Sequence, residues 1–360
     1  MGYPTRRDFL TVSGLLLAQD PGVQKSAKKK SRRAATAKEL IRPGEPFDYR
    51  PMAMDAAKWD AKRVSTWMFP WIGRRIALLT DSLKFDRSII AEFVSRLDAG
   101  WAVYADFVGE VPRLFHHIDG RGTIAAVPGE LTCGGGCGYL GQTGIEVIHF
   151  YADDYPLAVQ SPKAFKNYYF YEMGRNYFVF GDRHSQFGTG FAVFMRHVCM
   201  EVLKLEVAPG DQGALEWIET LEGQIEKTDL TFLKAFTMQG GLGEKDRRHP
   251  NLTANQTDIY ASAMMRLRRE VGGDRWLRRF YRVLGECPEV TPDSPEGALR
   301  QGLIWYVAAS TAAGRDLGRY FVDRWRLPLS PSTRKALARA EWGAIHPAAL
   351  LDNIPIEFRI

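Results

Sequence analysis

Within residues 163 to 181, KAFKNYYFYEMGRNYFVFG, Tyr171 directly precedes Glu172 and Arg175 follows it by three residues. On a helix that spacing puts Glu172 and Arg175 on one face. The carboxyl can then act as acid or base, while the phenol and the guanidinium donate hydrogen bonds to a developing oxyanion. The same side chains can instead pair with one another and simply satisfy a buried helix. Neither a phenol nor a permanently charged guanidinium is a good metal ligand. No other residues make up a ligand set. The histidines, His116, His117, His149, His184, His197, His249 and His346, contain no i,i+4 pair, and Asp182 with His184 beyond the helix has no ligand spacing. No cofactor is expected, and no zinc. A G-x-S-x-G elbow is missing, and no local pattern marks a cysteine as a nucleophile.

Several elements must position Glu172. Arg75 to Thr80 (RIALLT) suits a buried strand, and Asp86 to Tyr104 carries Ile89, Ile90, Phe93, Leu97, Trp101 and Tyr104 at helical spacing, closed by Gly109 and Pro112. Thr123 to Val127 and Ile145 to Tyr151 read as strands. Between them lies CGGGCGYLGQTG, residues 133 to 144, where Gly136, Gly138 and Gly141 satisfy G-x-G-x-x-G. A dinucleotide site needs a helix at once after those glycines, and IEVIHFY is not one. The glycines fit an irregular edge strand, or a place where another backbone comes close. Ser161-Pro162 is expected to cap the Glu172 helix, and Phe191 to Leu205 to form the next. Beyond residue 206 helices are expected over 213 to 227, 229 to 237, 255 to 271, 274 to 284, 296 to 313 and 314 to 325, with no repeat.

This order of elements resembles a gluzincin, the zincin metallopeptidases whose H-E-x-x-H helix is followed by a third ligand, a glutamate, on a second helix. The five motif positions read Tyr171-Glu172-Met173-Gly174-Arg175, and Gly190-Phe191-Ala192 matches the segment after the third ligand, with Thr189 in the glutamate's place. The resemblance covers roughly residues 70 to 290. It implies an α+β fold, a zincin-like mixed sheet with an active-site-type helix followed by a mostly α-helical C-terminal half. It also implies loss of zinc-dependent proteolysis. Glu172 remains as the catalytic candidate. Tyr171, Arg175, Thr189, Gly134, Gly135, Gly136 and Tyr139 would line a former catalytic cleft that binds a peptide, glycopeptide or glycan. One alternative is a hydrolase using Glu172, metal-independent or with a relocated metal site. Another is a scaffold that binds a partner protein.

Composition and charge set the outer limits. The 360 residues are 45% hydrophobic, enough for a sizeable core, and carry a net charge of +6. Residues 25 to 42 account for +7 of it, so the remainder is close to neutral and a nucleic-acid partner is not expected. Thr5-Arg6-Arg7-Asp8-Phe9-Leu10, with the apolar stretch to Ala18, resembles a twin-arginine signal. Arg6, Arg7, Phe9 and Leu10 would be its recognised residues. The expected location is periplasmic or extracellular, free or held by an uncleaved signal, with no transmembrane helix. The domain reading is signal segment 1 to 18, basic linker 19 to 58, zincin-like domain 59 to 205 and helical domain 206 to 360. Cys133 and Cys137 are close enough in sequence to be bridged; Cys199 and Cys287 complete the set.

Overall fold

Residues Arg42–Pro43 (β1) and Phe47–Tyr49 (β2) lie end to end along Thr66–Ile72 (β3), which turns back into Ile76–Thr80 (β4). The computed structural model describes residues 41 to 50, 66 to 128, 132, 135 to 180, 186 to 237 and 256 to 359. Part of the expected linker is therefore sheet. Its prolines, Pro43 and Pro46, suit an edge, where a missing N–H costs no ladder bond.

The chain continues through Arg87–Val108 (α1), His117–Ile118 (β5), Arg121–Ala126 (β6), Gly136–Gly138 (β7) and Ile145–Val147 (β8). The sheet runs β1-β3-β4-β6-β8-β7, with β2 also on β3 and β5 on β6. Strands β4, β6 and β8 are parallel, whereas β7 returns antiparallel to β8 at the far edge. The central strands are buried on both faces, which accounts for their continuous apolar runs. Ile76, Leu78, Ile124, Ala126, Ile145 and Val147 enter the main core, while Ala77, Leu79, Ala125 and Val127 join Tyr49 and Met68 on the second face. Glu146 also lies on that second face and accepts a hydrogen bond from Tyr49 at 2.9 Å.

Helix α1 forms as its pattern predicts. Asp86 caps it by accepting from the N–H groups of Ser88 and Ile89, and Gly109 closes it in the left-handed conformation at φ 78°. Ile90, Leu97 and Phe107 are fully buried, each contributing about 1.5 to 3 kcal/mol. Asp98 on this helix accepts from the N–H groups of Arg74, Arg75 and Ile76 at 2.6, 2.8 and 3.0 Å, fastening the β3 to β4 turn.

Beyond β8 several expectations need correction. The strand ends at Val147, and a π-helical turn over Phe150–Asp154 leads into Tyr155–Gln160 (α2). Ser161 closes α2 rather than opening the next helix, because its N–H bonds back to Leu157 and Arg96 of α1 holds the Pro162 and Ala164 carbonyls. A two-residue strand follows, Ala164–Phe165 (β9), before the Glu172 helix, Tyr168–Tyr177 (α3), which Asn167 precedes without a side-chain cap. Helix Gln186–Val202 (α4) starts earlier than expected and takes in Gly188, Thr189 and Gly190. A Cβ on Gly190 would lie 2.6 Å from the Tyr260 ring, so the glycine serves close helix packing inside α4.

Glu206–Val207 (β10) pairs parallel with β9. Then come Gln212–Glu226 (α5), Phe232–Phe236 (α6), Gln256–Leu267 (α7), Gly273–Gly285 (α8), Pro295–Ala313 (α9), Pro331–Leu337 (α10) and Pro347–Asn353 (α11). The helix expected over 314 to 325 is only a π-helical turn at Arg319–Arg324, since Gly314 terminates α9 at φ 66°. One buried apolar cluster takes in residues from Trp71 to Leu351, on both sides of residue 205. The chain has a mixed α/β fold with a mixed sheet and a helical C-terminal half. No helix among the described residues is long and apolar enough to cross a membrane.

Candidate functional site

Helix α3 lies against the free side of β7, and the glycines of that strand are what allow it. A Cβ on Gly138 would fall 2.6 Å from the Glu172 carbonyl oxygen and 3.1 Å from the Arg175 Cβ. On Gly136 it would fall 2.9 Å from Glu172 Oε1. The Gly141 N–H donates to the Arg175 carbonyl at 3.1 Å, and Asn176 Nδ2 donates to the carbonyls of Tyr139 and Gly144. On its other side, α3 meets α4 where a Cβ on Gly174 would lie 2.7 Å from the Ala192 Cα. Sequence reading of the glycine-rich segment as a place of close backbone approach therefore holds.

Glu172 is 6% exposed. Burial pushes its carboxyl up to about 7, against the opposing pull of the Arg175 charge and of the Gly138 N–H. It forms part of the wall of a cleft of about 490 Å³. Gly135 and Gly136 of the glycine segment line the same cleft, as do Tyr168 from α3 and Arg196 from α4. His149, Asp153 and Asp154 enter from the π-helical turn, and Lys166, Asn167 and Asp211 complete the lining.

Most charges there are already engaged. His149 Nδ1 lies 3.2 Å from Asp153, and Lys166 Nζ lies 3.8 Å from Asp211. Asp154 Oδ2 accepts from the hydroxyls of Tyr168 and Tyr169 at 2.5 and 2.7 Å. Burial raises the Asp154 carboxyl above its ordinary range despite those bonds.

The three positions that the resemblance assigns to metal ligands meet one another beside this cleft. Arg175 Nη1 donates to Thr189 Oγ1 at 2.6 Å, and the Tyr171 phenol lies near enough to both for them to act on its ionisation. Burial raises the Tyr171 phenol, with Arg175 the largest influence in the other direction. Tyr171, Arg175 and Thr189 are not among the residues lining the cleft. The expected ion pair of Glu172 with Arg175 does not form within 4 Å, because the guanidinium turns along α3 to the α4 hydroxyl. Phenol, guanidinium and hydroxyl do not fit zinc, and among the described residues no group of three or more His, Cys, Asp or Glu side chains is arranged to hold a metal.

Tyr139 also departs from expectation. Its ring stacks on His116 at 5.7 Å and meets Phe115 edge-on, away from Glu172. Alternation along the strand explains it, since neighbouring residues face opposite sides. Cys137 is disulfide-bonded, and Cys199 and Cys287 are free. Cys133 and Gly134, like Asp182, His184, His249 and the signal residues Arg6, Arg7, Phe9 and Leu10, lie outside the described residues.

Sequence reasoning missed Arg196, Asp154, Lys166 and Asp211 as cleft residues and gave His149 no role. One signal was available for Arg196, which follows Thr189 by seven residues and so shares its face of α4. Lys166 and Asp211 are brought together next to the parallel β9/β10 pair, which two-residue strands do not announce.

No protein-family model matches the sequence, and no curated protein matches it. Among solved structures, the chain is similar to the crystal structure of a functionally unknown conserved protein from Bacillus anthracis str. Ames, at 11% identity and a TM-score of 0.46. The match covers 78% of this chain and 55% of that one, so the chain spans just over half of that protein's length.

Proposed function

We propose that the chain is a gluzincin-like protein without zinc chemistry that binds a peptide, glycopeptide or glycan in the cleft beside Glu172. One observation carries this reading: a buried carboxyl, raised to about 7, forms part of the wall of a cleft that the glycine backbone of Gly135 and Gly136 also lines. A carboxyl of that kind exchanges a proton with a ligand at little cost, and bare backbone lets an extended ligand approach closely. The antiparallel edge position of β7 and the meeting of Tyr171, Arg175 and Thr189 support the gluzincin likeness. Export by the twin-arginine route belongs to the same reading and rests on Arg6 and Arg7.

The raised Glu172 carboxyl favours a second reading, a metal-independent hydrolase. Here ionised Glu172 would take the proton of an attacking water and pass it to the leaving amine or alcohol.

Calorimetry with an acetylated oligoalanine, a disaccharide bearing a short peptide and a plain oligosaccharide tests the binding reading. Gly135→Leu is the control, because a Cβ there already comes within 3.3 Å of His149 Nε2 and a longer side chain would fill the cleft. At least one ligand should bind and be lost in Gly135→Leu. Failure of all three, or binding indifferent to the block, would overturn it. Product release that disappears in Glu172→Gln would select the hydrolase.

A further inference from the structure

We infer that the ligand of this cleft carries an anionic group, a carboxylate in the peptide case, and that Arg196 is the residue that selects for it. The inference rests on the cleft-binding reading and deepens it.

Arg196 lines the cleft together with Glu172. Every other cation there has an acidic neighbour: His149 has Asp153 and Lys166 has Asp211. Arg196 has none within 4 Å among the described residues. It donates Nε–H to Nε2 of His197 at 3.2 Å, and among the described residues its two terminal nitrogens make no hydrogen bond. Asp258, Asp211 and Tyr171 are near enough to act on its charge without bonding it.

Burial disfavours the charged guanidinium, and it pulls His197 down to about 3, so that imidazole stays neutral and accepts from Arg196. The guanidinium is thus fixed through Nε with its outer fork unused. A fork of two parallel N–H donors matches a carboxylate or a phosphate oxygen pair. A poorly solvated cation also gains more from such a partner than an exposed one does.

Asp154, whose Oδ2 accepts from the Tyr168 and Tyr169 hydroxyls, makes no ion pair with Arg196 within 4 Å. Glu172 would then meet the ligand on the glycine side, leaving the anionic end for Arg196. Neutral glycans are excluded as best ligands by this arrangement, and peptides with a free C-terminus or acidic glycopeptides are preferred.

The test compares acetyl-trialanine as the free acid with its C-terminal amide, by calorimetry on the full chain and on Arg196→Gln. The acid should bind at least about tenfold more tightly than the amide, and the preference should vanish in the variant. Equal binding of acid and amide would overturn the inference and leave the cleft reading standing. If neither peptide binds, the peptide form of that reading falls, and inorganic phosphate decides the anion site alone. A phosphate-dependent rise in Tm present in the full chain and lost in Arg196→Gln would support it; no rise would overturn it. Arg196→Lys keeps the charge without the fork and should retain part of the preference, which keeps the test usable if Arg196→Gln fails to fold.

Discussion

Replacing Glu172 by Gln should make the protein more stable in mild alkali and change little in acid. Gln keeps the size and one acceptor for the Gly138 N–H, and it imitates the protonated acid. In the native chain the carboxyl is raised from 4.5 to about 7 by burial. The sign follows from proton counting. Between about pH 4.5 and 7 the native state holds a proton that the unfolded chain has released, so stability falls as pH rises through that window and levels off above it. The full displacement corresponds to about 3 kcal/mol, and some water reaches the carboxyl through the cleft, so about 2 to 3 kcal/mol is expected. Urea unfolding of both proteins at pH 4, 6, 7 and 8.5, followed by circular dichroism, measures it. The stability difference should grow by that amount from pH 4 to pH 8.5 in favour of Glu172→Gln. Parallel pH profiles would show that Glu172 is not a desolvated acid, and both functional readings would lose their central residue.

Gly138→Ala should destabilise by about 1 to 3 kcal/mol and more than Gly136→Ala, since the first meets a helix carbonyl and the second the movable end of Glu172; equal effects in urea unfolding would contradict the close strand and helix packing. Thr189→Val should cost about 1 to 3 kcal/mol by stranding the Arg175 guanidinium. A double-mutant cycle with Arg175→Met should show coupling above about 0.5 kcal/mol, whereas the Glu172→Gln and Arg175→Met pair should be nearly additive at about pH 4, where Glu172 is protonated and offers Arg175 no charge. Protein purified without added metal should hold less than about one zinc per ten chains and melt alike with and without chelator. The triple variant Tyr171→His, Arg175→His, Thr189→Glu should gain close to stoichiometric zinc by elemental analysis. A folded triple variant without zinc would show that the meeting of these positions is unrelated to a metal site.

The parts of the fold that sequence made legible are those governed by local chemistry. Helix α1 was readable from end to end because its apolar spacing, Asp86 cap and Gly109 stop all lie within the segment itself. Strand β4 was readable because a short apolar run has few other uses. The start of α3 was not, because Ser161 has cap chemistry that a distant residue, Arg96, diverts. Glu172 stood out by its surroundings, and Gly136 by its density of neighbours of the same kind. Arg196 did not, since what distinguishes it is the lack of a carboxylate within 4 Å among the described residues, a property of α4 facing the cleft and not of FAVFMRHV as a string. Tyr139 was misplaced for the same reason in reverse: Gly136 and Gly138 of the same strand face α3, and strand alternation turns Tyr139 to the other side.

The pairing of β1 and β2 with β3 bears on where a recombinant chain should begin. A start at residue 59 would discard the two short strands that cover β3 and remove the Tyr49 hydroxyl from Glu146. The bare β3 ladder, with Trp67 exposed and Met68 and Trp71 uncovered by the loss, would offer its N–H and C=O groups to any passing strand. Such a truncation should aggregate on expression. In the intact chain Pro43 in β1 and Pro46 between β1 and β2 cannot donate to an incoming ladder. Residues 42 to 49 thus work as a guard rail for the sheet, and trimming them as tail would turn its edge into a template for association.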